Sequence, residues 1–343
     1  MRSPHAGNFS QLTHRAAPSA GAQQNDLKAG SAKMLERALK ALKKKYGNWW
    51  QLYVFLLLPL AYIIIFKYIP MVGVQIAFRK YTHRGGIWGS KWVGMSNFIK
   101  FFNSPKASVI ILNTLKLSVY SIFVGFPFPI IFALFLNTIE APRYKKIVQT
   151  ITYMPHFIST VVLVGIIMQV FNSTLGVAPK IWKTLTGVQR VDVLASPNGF
   201  VHLYTWSGVW QGFGWGSIMY LAALTAVSPD LHEAAQIDGA TRWQRVLHVD
   251  LPSILPTITI MLILRMGSVM SIGFEKAFLM QNDLNISASE VISTYEYKIG
   301  LANAGSTDYS RSAAIGLFNS VINMIMLIIV NTISGKLSST SLW

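Results

Sequence analysis

Long uncharged stretches alternate with short charged ones along this chain. Residues 46–66, 117–139, 147–179, 193–229 and 312–335 run without Asp, Glu, Lys or Arg, and a sixth stretch, 251–274, is broken by Arg265 alone. A helix crossing a bilayer needs about 20 mainly apolar residues. The pattern therefore predicts six spans, over roughly 52–76, 109–137, 151–171, 200–227, 254–274 and 312–334. Segments such as VFLLLPL and IMLIIV are apolar on every face, as lipid-surrounded helices are, and strand-type alternation is absent. The expectation is an all-α polytopic membrane protein, with kinks at Pro59, Pro127 and Pro129.

An even number of spans puts both termini on one side. Lys43, Lys44 and Lys45, immediately before the first span, place that side in the cytoplasm by the positive-inside rule. The first 48 residues form a separate cytoplasmic tail. Its first 32 are polar and carry no apolar core of a signal peptide, so they read as disordered. From Lys33 to Lys45, Leu35, Ala38, Leu39 and Leu42 recur at helical spacing among basic residues, which predicts an amphipathic helix on the anionic leaflet. Residues 49–343 form the six-span domain.

Composition agrees. The chain has 343 residues, of which 52% are hydrophobic and 13% charged, against about 25% charged in a soluble domain. The net charge is +17, but the basic residues sit between apolar blocks instead of forming one stripe, which argues against nucleic acid. With no cysteine, disulfides, thiolate catalysis and Cys-based metal centres are excluded.

The chemistry of self-sufficient transport is missing. No GxxxxGK[ST] phosphate loop occurs, so no nucleotide cofactor is expected on this chain. His232 and Glu233 begin a zincin-like HExxH, but the fifth position is Gln236, so no metal site is expected. No catalytic residue is assigned.

The loop over 228–253 is the most informative stretch. Ser228 is placed to cap a short helix with Pro229 at its first position and Asp230 and Glu233 near its positive end. Ala234 and Ala235 are small, and Gly239 ends or bends the helix. Trp243, Val246 and Leu247 recur at helical spacing beyond it, and Pro252 marks the return to the membrane. A connector resting on the bilayer would look similar; a short helix with small residues also suits a groove in another protein.

The segment EAAQIDGATRWQRVLHVDLPSILP resembles the EAA loop of binding-protein-dependent ABC importer permeases, with matches at Glu233, Ala234, Ala235, Asp238, Gly239, Leu251 and Pro252. Val246 and Val249 depart from the usual Phe and Ile of the sugar-transporter version but stay apolar. Three further stretches, YMPHFIS (153–159), FEKAFLM (274–280) and AIGLFN (314–319), are similar to the subgroup serving polysaccharide-derived oligosaccharides. The resemblance implies a type I importer permease in a prokaryotic inner membrane. It implies pairing with a second homologous permease, a cytoplasmic ATPase dimer that binds ATP and Mg, and an extracytoplasmic solute-binding protein. The loop would then be the coupling helix docking on the ATPase. The rivals are a permease for peptides or amino acids, an integral membrane enzyme, and a stand-alone channel.

Candidates for the substrate path are Trp210, Gln211, Glu275, Asn319 and Asn323. Aromatic faces and amides suit a sugar, although Trp206, Trp210 and Trp215 serve equally as interfacial anchors, and Asn319 and Asn323 as helix–helix contacts. Gly208, Gly212 and Gly216, four apart, predict a groove for close helix approach. The external loop 77–107 carries Arg79, Lys80, Arg84, Lys91, Lys100 and Lys106 and no acidic residue. It is either a solvated loop or a surface for an acidic binding protein or an anionic oligosaccharide.

Overall fold

The structure is a computed structural model that describes residues 40, 49–188, 192–302, 307–338 and 341–342. The expected disordered tail and amphipathic helix fall outside the described residues, apart from Lys40. The chain divides into two units, Met1–Val72 and Gly73–Trp343.

In the first unit, helix α1 (Trp50–Ile63) contains Pro59 and passes into a π turn, Ile64–Tyr68. Its large side chains are exposed all round, from Leu52 to Phe66, which in lipid carries no hydrophobic penalty.

The second unit begins with a feature that hydropathy does not signal, an antiparallel ribbon of β1 (Arg79–Thr82) and β2 (Ser90–Trp92). Arg79 holds it, donating from one terminal nitrogen to the carbonyls of Trp88 (3.1 Å) and Ser90 (3.0 Å), with its guanidinium 5.5 Å from the Trp92 ring centre. Helix α2 (Ser96–Phe102) comes next, then α3 (Pro105–Gly125) and α4 (Pro127–Asn137). Pro127 at the start of α4 and Gly125 at the end of α3 mark their junction, and the two together form one apolar run of 33 residues.

The third expected span is broken. Helix α5 (Pro142–Tyr153) passes into a 3-10 turn, Met154–Phe157, and α6 (Thr160–Val170) leaves at 95° to it. Pro155 cannot continue the preceding α-helical ladder, and Ser159 caps the new helix by accepting from Val162 N–H. An amphipathic helix, α7 (Val177–Thr186), then leads to α8 (Pro197–Thr225), which is 29 residues long.

After α8 come α9 (Pro229–Ile237) and α10 (Arg242–Arg245), which joins α11 (Leu251–Met266) through a π turn, Val246–Asp250. Pro252 lies in the first turn of α11, where the chain returns to the membrane helix, within a run that is helical from Arg242. Pro252 has no N–H for His248, and the ladder adapts: Leu251 N–H reaches back to Val246, and the Ser253 hydroxyl donates to Val249 (2.6 Å). The fifth expected span ends early, because α11 stops at Met266, turns at 267–270, and is succeeded by α12 (Phe274–Met280). Helix α13 (Ile292–Tyr297) and the 30-residue α14 (Tyr309–Ser338) complete the unit.

Among the described residues four helical runs are long and apolar enough to cross a membrane, and the bent pair makes a fifth if it counts as one. Helix α8 has the length for a sixth, but its glycines, tryptophans and Gln211 make it less apolar. Helix α8 is central. Tyr220, Leu221 and Leu224 pack with Ile130, Ala133 and Leu134 of α4 and Ile254 of α11 in one buried cluster. Phe200 packs with Leu117 of α3, Leu163 of α6 and Met280 of α12 in another. The two clusters grip α8 near its two ends and leave its middle, with the glycines, between them.

Candidate substrate cavity and coupling loop

A cavity of about 510 Å³ opens between α3, α4, α8, α11 and α12, within the 300–1,000 Å³ range of small-molecule sites. Gly208, Gly212 and Gly216 line it as one face of α8. A Cβ on Gly208 would lie 3.3 Å from Lys276 Nζ and one on Gly216 3.2 Å from Pro129, while Gly212 has nothing within 4 Å. The stripe is packed at its two ends and bare in the middle.

Hydroxyls and two cations supply the polarity. Ser118 donates to the Val269 carbonyl, and Ser121 and Thr205 share a hydrogen bond of 3.2 Å. Lys276 is buried, donates to the Tyr204 carbonyl (2.8 Å) and lies 4.8 Å from the Tyr204 ring centre. Arg265 projects from α11 into the same lining, and no carboxylate is among the lining residues. Neither cation has an ion-pair partner among the described residues. Lys276 is buried and Arg265 exposed; burying a charge without an ion-pair partner is costly, so the cavity carries an uncompensated positive charge at Lys276.

Of the residues singled out from sequence, Gln211 lines the cavity, and its amide N–H donates to the Ile158 carbonyl (2.8 Å) at the break before α6. Asn323 reaches the cavity at second hand: it accepts from Met270 N–H (2.8 Å) and donates to the hydroxyl of Ser271, a lining residue (2.8 Å). Asn319 Oδ1 is buried with no partner among the described residues. Trp210 and Glu275 are exposed and outside the lining. Trp206 donates to the Tyr120 oxygen (3.2 Å), and Trp215 stacks flat on His156 with centroids 4.6 Å apart. Lys276 is a lining residue that sequence reasoning does not reach. Its only signal there is a lysine just past a span whose own charge is Arg265.

The loop 228–253 folds as local rules require. The Ser228 hydroxyl accepts from Asp230 N–H (3.3 Å), and Thr241 and Gln244 form a reciprocal capping box. Helix α9 ends in a Schellman motif: Ala240 N–H donates to Ala235 (2.9 Å) and Gly239 N–H to Gln236 (3.0 Å), with Gly239 at φ +79°. Glu233, Ala234, Asp238 and Gly239 are exposed, and Ala235 and Leu251 half-buried; Pro252 is exposed on the helix beyond. Ile237, which the sequence does not single out, is 87% exposed at the tip. A second cavity, about 400 Å³, lies beneath α9 and is lined by Asn137, Glu140, His232, Arg245 and Asp250 among others. There His232 Nε2 stands 3.3 Å from Asp250 Oδ1, and Asn137 donates to the same oxygen (3.4 Å).

A family model described as "binding-protein-dependent transport system inner membrane component" matches residues 125–339. Protein LplB of Bacillus subtilis (strain 168) is 40% identical over 305 residues, covering 89% of this chain and 93% of that protein. The polygalacturonan/rhamnogalacturonan transport system permease protein YteP of the same organism is 35% identical over 305 residues, covering 89% and 92%. Among solved structures, a chain of the bacterial alginate ABC transporter in complex with alginate pentasaccharide-bound periplasmic protein matches with a TM-score of 0.78 at 37% identity, covering 88% of this chain and 99% of that one. With its glycine-floored cavity and its exposed loop of EAA pattern, the chain belongs to the family of binding-protein-dependent transport system inner membrane components.

Proposed function

We propose that this chain, a multi-pass permease subunit of an ABC importer for oligosaccharides, carries acidic cargo: oligosaccharides containing uronate. The observation that carries the reading is the cavity with Arg265 and Lys276 in its lining and no carboxylate opposing them. Hydroxyl groups around the two cations match the hydroxyls of a sugar, and the bare backbone at Gly212 leaves room for a ring. The relatives' transport of polygalacturonan, rhamnogalacturonan and alginate supports it. The external ribbon and the helix α2 after it support it too: Lys80, Arg84, Lys91 and Lys100 are exposed, a basic approach for an anion or for an acidic binding protein.

In this reading the chain pairs with a second permease, both termini are cytoplasmic, and an ATPase dimer holds the ATP and Mg. Helix α9 docks on that ATPase through Glu233, Ala234, Ala235, Asp238 and Gly239, while Leu251 and Pro252 join the docked helix to the membrane. A solute-binding protein delivers the sugar from outside. The test is uptake by proteoliposomes holding the complete transporter with its binding protein. Trigalacturonate is expected to enter and to stimulate ATP hydrolysis; equal or faster uptake of neutral maltotriose would overturn the acidic reading.

A further inference from the structure

Helix α9 is joined to the rest of the chain by little. Among the described residues, the one hydrogen bond or ion pair from a side chain of α9 to another element is His232 Nε2 to Asp250 Oδ1, at 3.3 Å. Asp250 is 3% exposed. It terminates the π turn from which α11 starts, and Asn137 at the C-terminal end of α4 donates to the same carboxylate oxygen. A buried carboxylate thus gathers three elements: α9, α11 and α4.

Two of those elements lead to the cavity. Helix α11 runs from Leu251 to Met266 and carries Arg265 into the lining, 15 residues beyond Asp250, or about 22 Å along a helix. Helix α4 contributes Pro129. Pro256 removes one rung of the α11 ladder, yet the run stays helical from Leu251 to Met266, so a displacement entering at Asp250 is carried toward Arg265 along one element. The large apolar side chains of α9, Leu231 and Ile237, are exposed and add no packing against the rest of the chain.

From this arrangement we infer that the His232–Asp250 contact is the strut through which movement of α9 is passed to the cavity. His232 and Asp250 are positioning residues: they touch neither cargo nor nucleotide. The inference rests on the reading of α9 as the ATPase-docking helix. The hydrogen bond needs a donor at the Nε2 position and an acceptor at Asp250, and a glutamine at 232 places an amide nitrogen near the same point.

The experiment uses the complete reconstituted transporter and reads sugar imported per ATP hydrolysed. His232→Ala is expected to lower that ratio about tenfold while ATP hydrolysis continues and the ATPase still co-purifies. His232→Gln is expected to restore most of it. Asp250→Leu, which removes the acceptor, is expected to lower the ratio as well, and the double variant H232A/D250L to be no worse than the worse single one, since both remove one contact. An unchanged ratio in H232A would overturn the strut, as would additive losses in the double variant, or H232Q behaving like H232A. Loss of the ATPase from the H232A complex would also overturn it, by making His232 a docking residue. A wild-type complex without binding-protein-dependent hydrolysis overturns the functional reading and the strut together; a working wild type with an unaffected H232A overturns the strut alone.

Discussion

The side-chain amide of Gln211 donates to the carbonyl of Ile158 across 2.8 Å, and so satisfies a backbone group freed where the third span breaks. The same residue lines the cavity, which ties the shape of the break to the cavity wall. Gln211→Leu keeps approximate volume but removes the donor. Losing a part-buried hydrogen bond costs about 0.5–1.5 kcal/mol, so the purified transporter is expected to melt a few degrees lower and to lose uptake. A thermal melt of the detergent-solubilised complex checks this; an unchanged midpoint would remove Gln211 from any structural role at the break.

Two glycines on α8 separate packing from transport. A Cβ on Gly214 would stand 2.2 Å from the Thr152 carbonyl, whereas Gly212 has nothing within 4 Å. Gly214→Ala is expected to destabilise by about 1–3 kcal/mol through overpacking and to lower the yield of assembled complex. Gly212→Leu should leave assembly intact and reduce uptake by filling the bare part of the cavity. Size-exclusion profiles and uptake rates, measured side by side, distinguish the two.

If the cargo is acidic as proposed, Arg265 in the cavity lining is placed to sense its charge. Arg265→Gln is expected to slow uptake of trigalacturonate at least about tenfold, since one charge-assisted hydrogen bond contributes about 1.5–3 kcal/mol. Entry of a neutral trisaccharide, if any is measured, should not fall. Equal losses for both sugars would make Arg265 structural.

At Gly239 the demand is for backbone conformation alone. The residue has φ +79° and open space around a Cβ, so substitutions cost conformational strain of about 1–2 kcal/mol and no clash. Asparagine tolerates this region better than alanine, and valine worst. The expected order of sugar imported per ATP is Gly, Asn, Ala, Val. A valine variant equal to wild type would detach the bend from coupling.

Hydropathy makes the spans and the caps legible, since Ser228, Pro229 and Gly239 act through local chemistry that needs no neighbours. It misses what neighbours decide. The 95° break is supported by Gln211 from α8, far away in sequence, although Pro155 and Ser159 are local signs of it. Beyond the end of the fifth span at Met266, Asn323 of α14 accepts from the backbone N–H of Met270 in the turn, a partner that no local pattern points to. The ribbon at 79–92 is held by Arg79 reaching across it, a role no charge count reveals. Lys276 and Arg265 meet in one lining only because α12 folds back beside α8 and α11.

That shared lining has a consequence for the ionic composition in which this chain works. Two cations without ion-pair partners, Lys276 buried and Arg265 exposed, draw in mobile anions from whichever side the cavity faces. A carboxylate-bearing sugar entering the cavity therefore displaces chloride or phosphate instead of meeting bare charge. On the proposed acidic reading each import cycle is an ion exchange, and the apparent affinity for cargo should fall as the salt concentration rises on the side of entry.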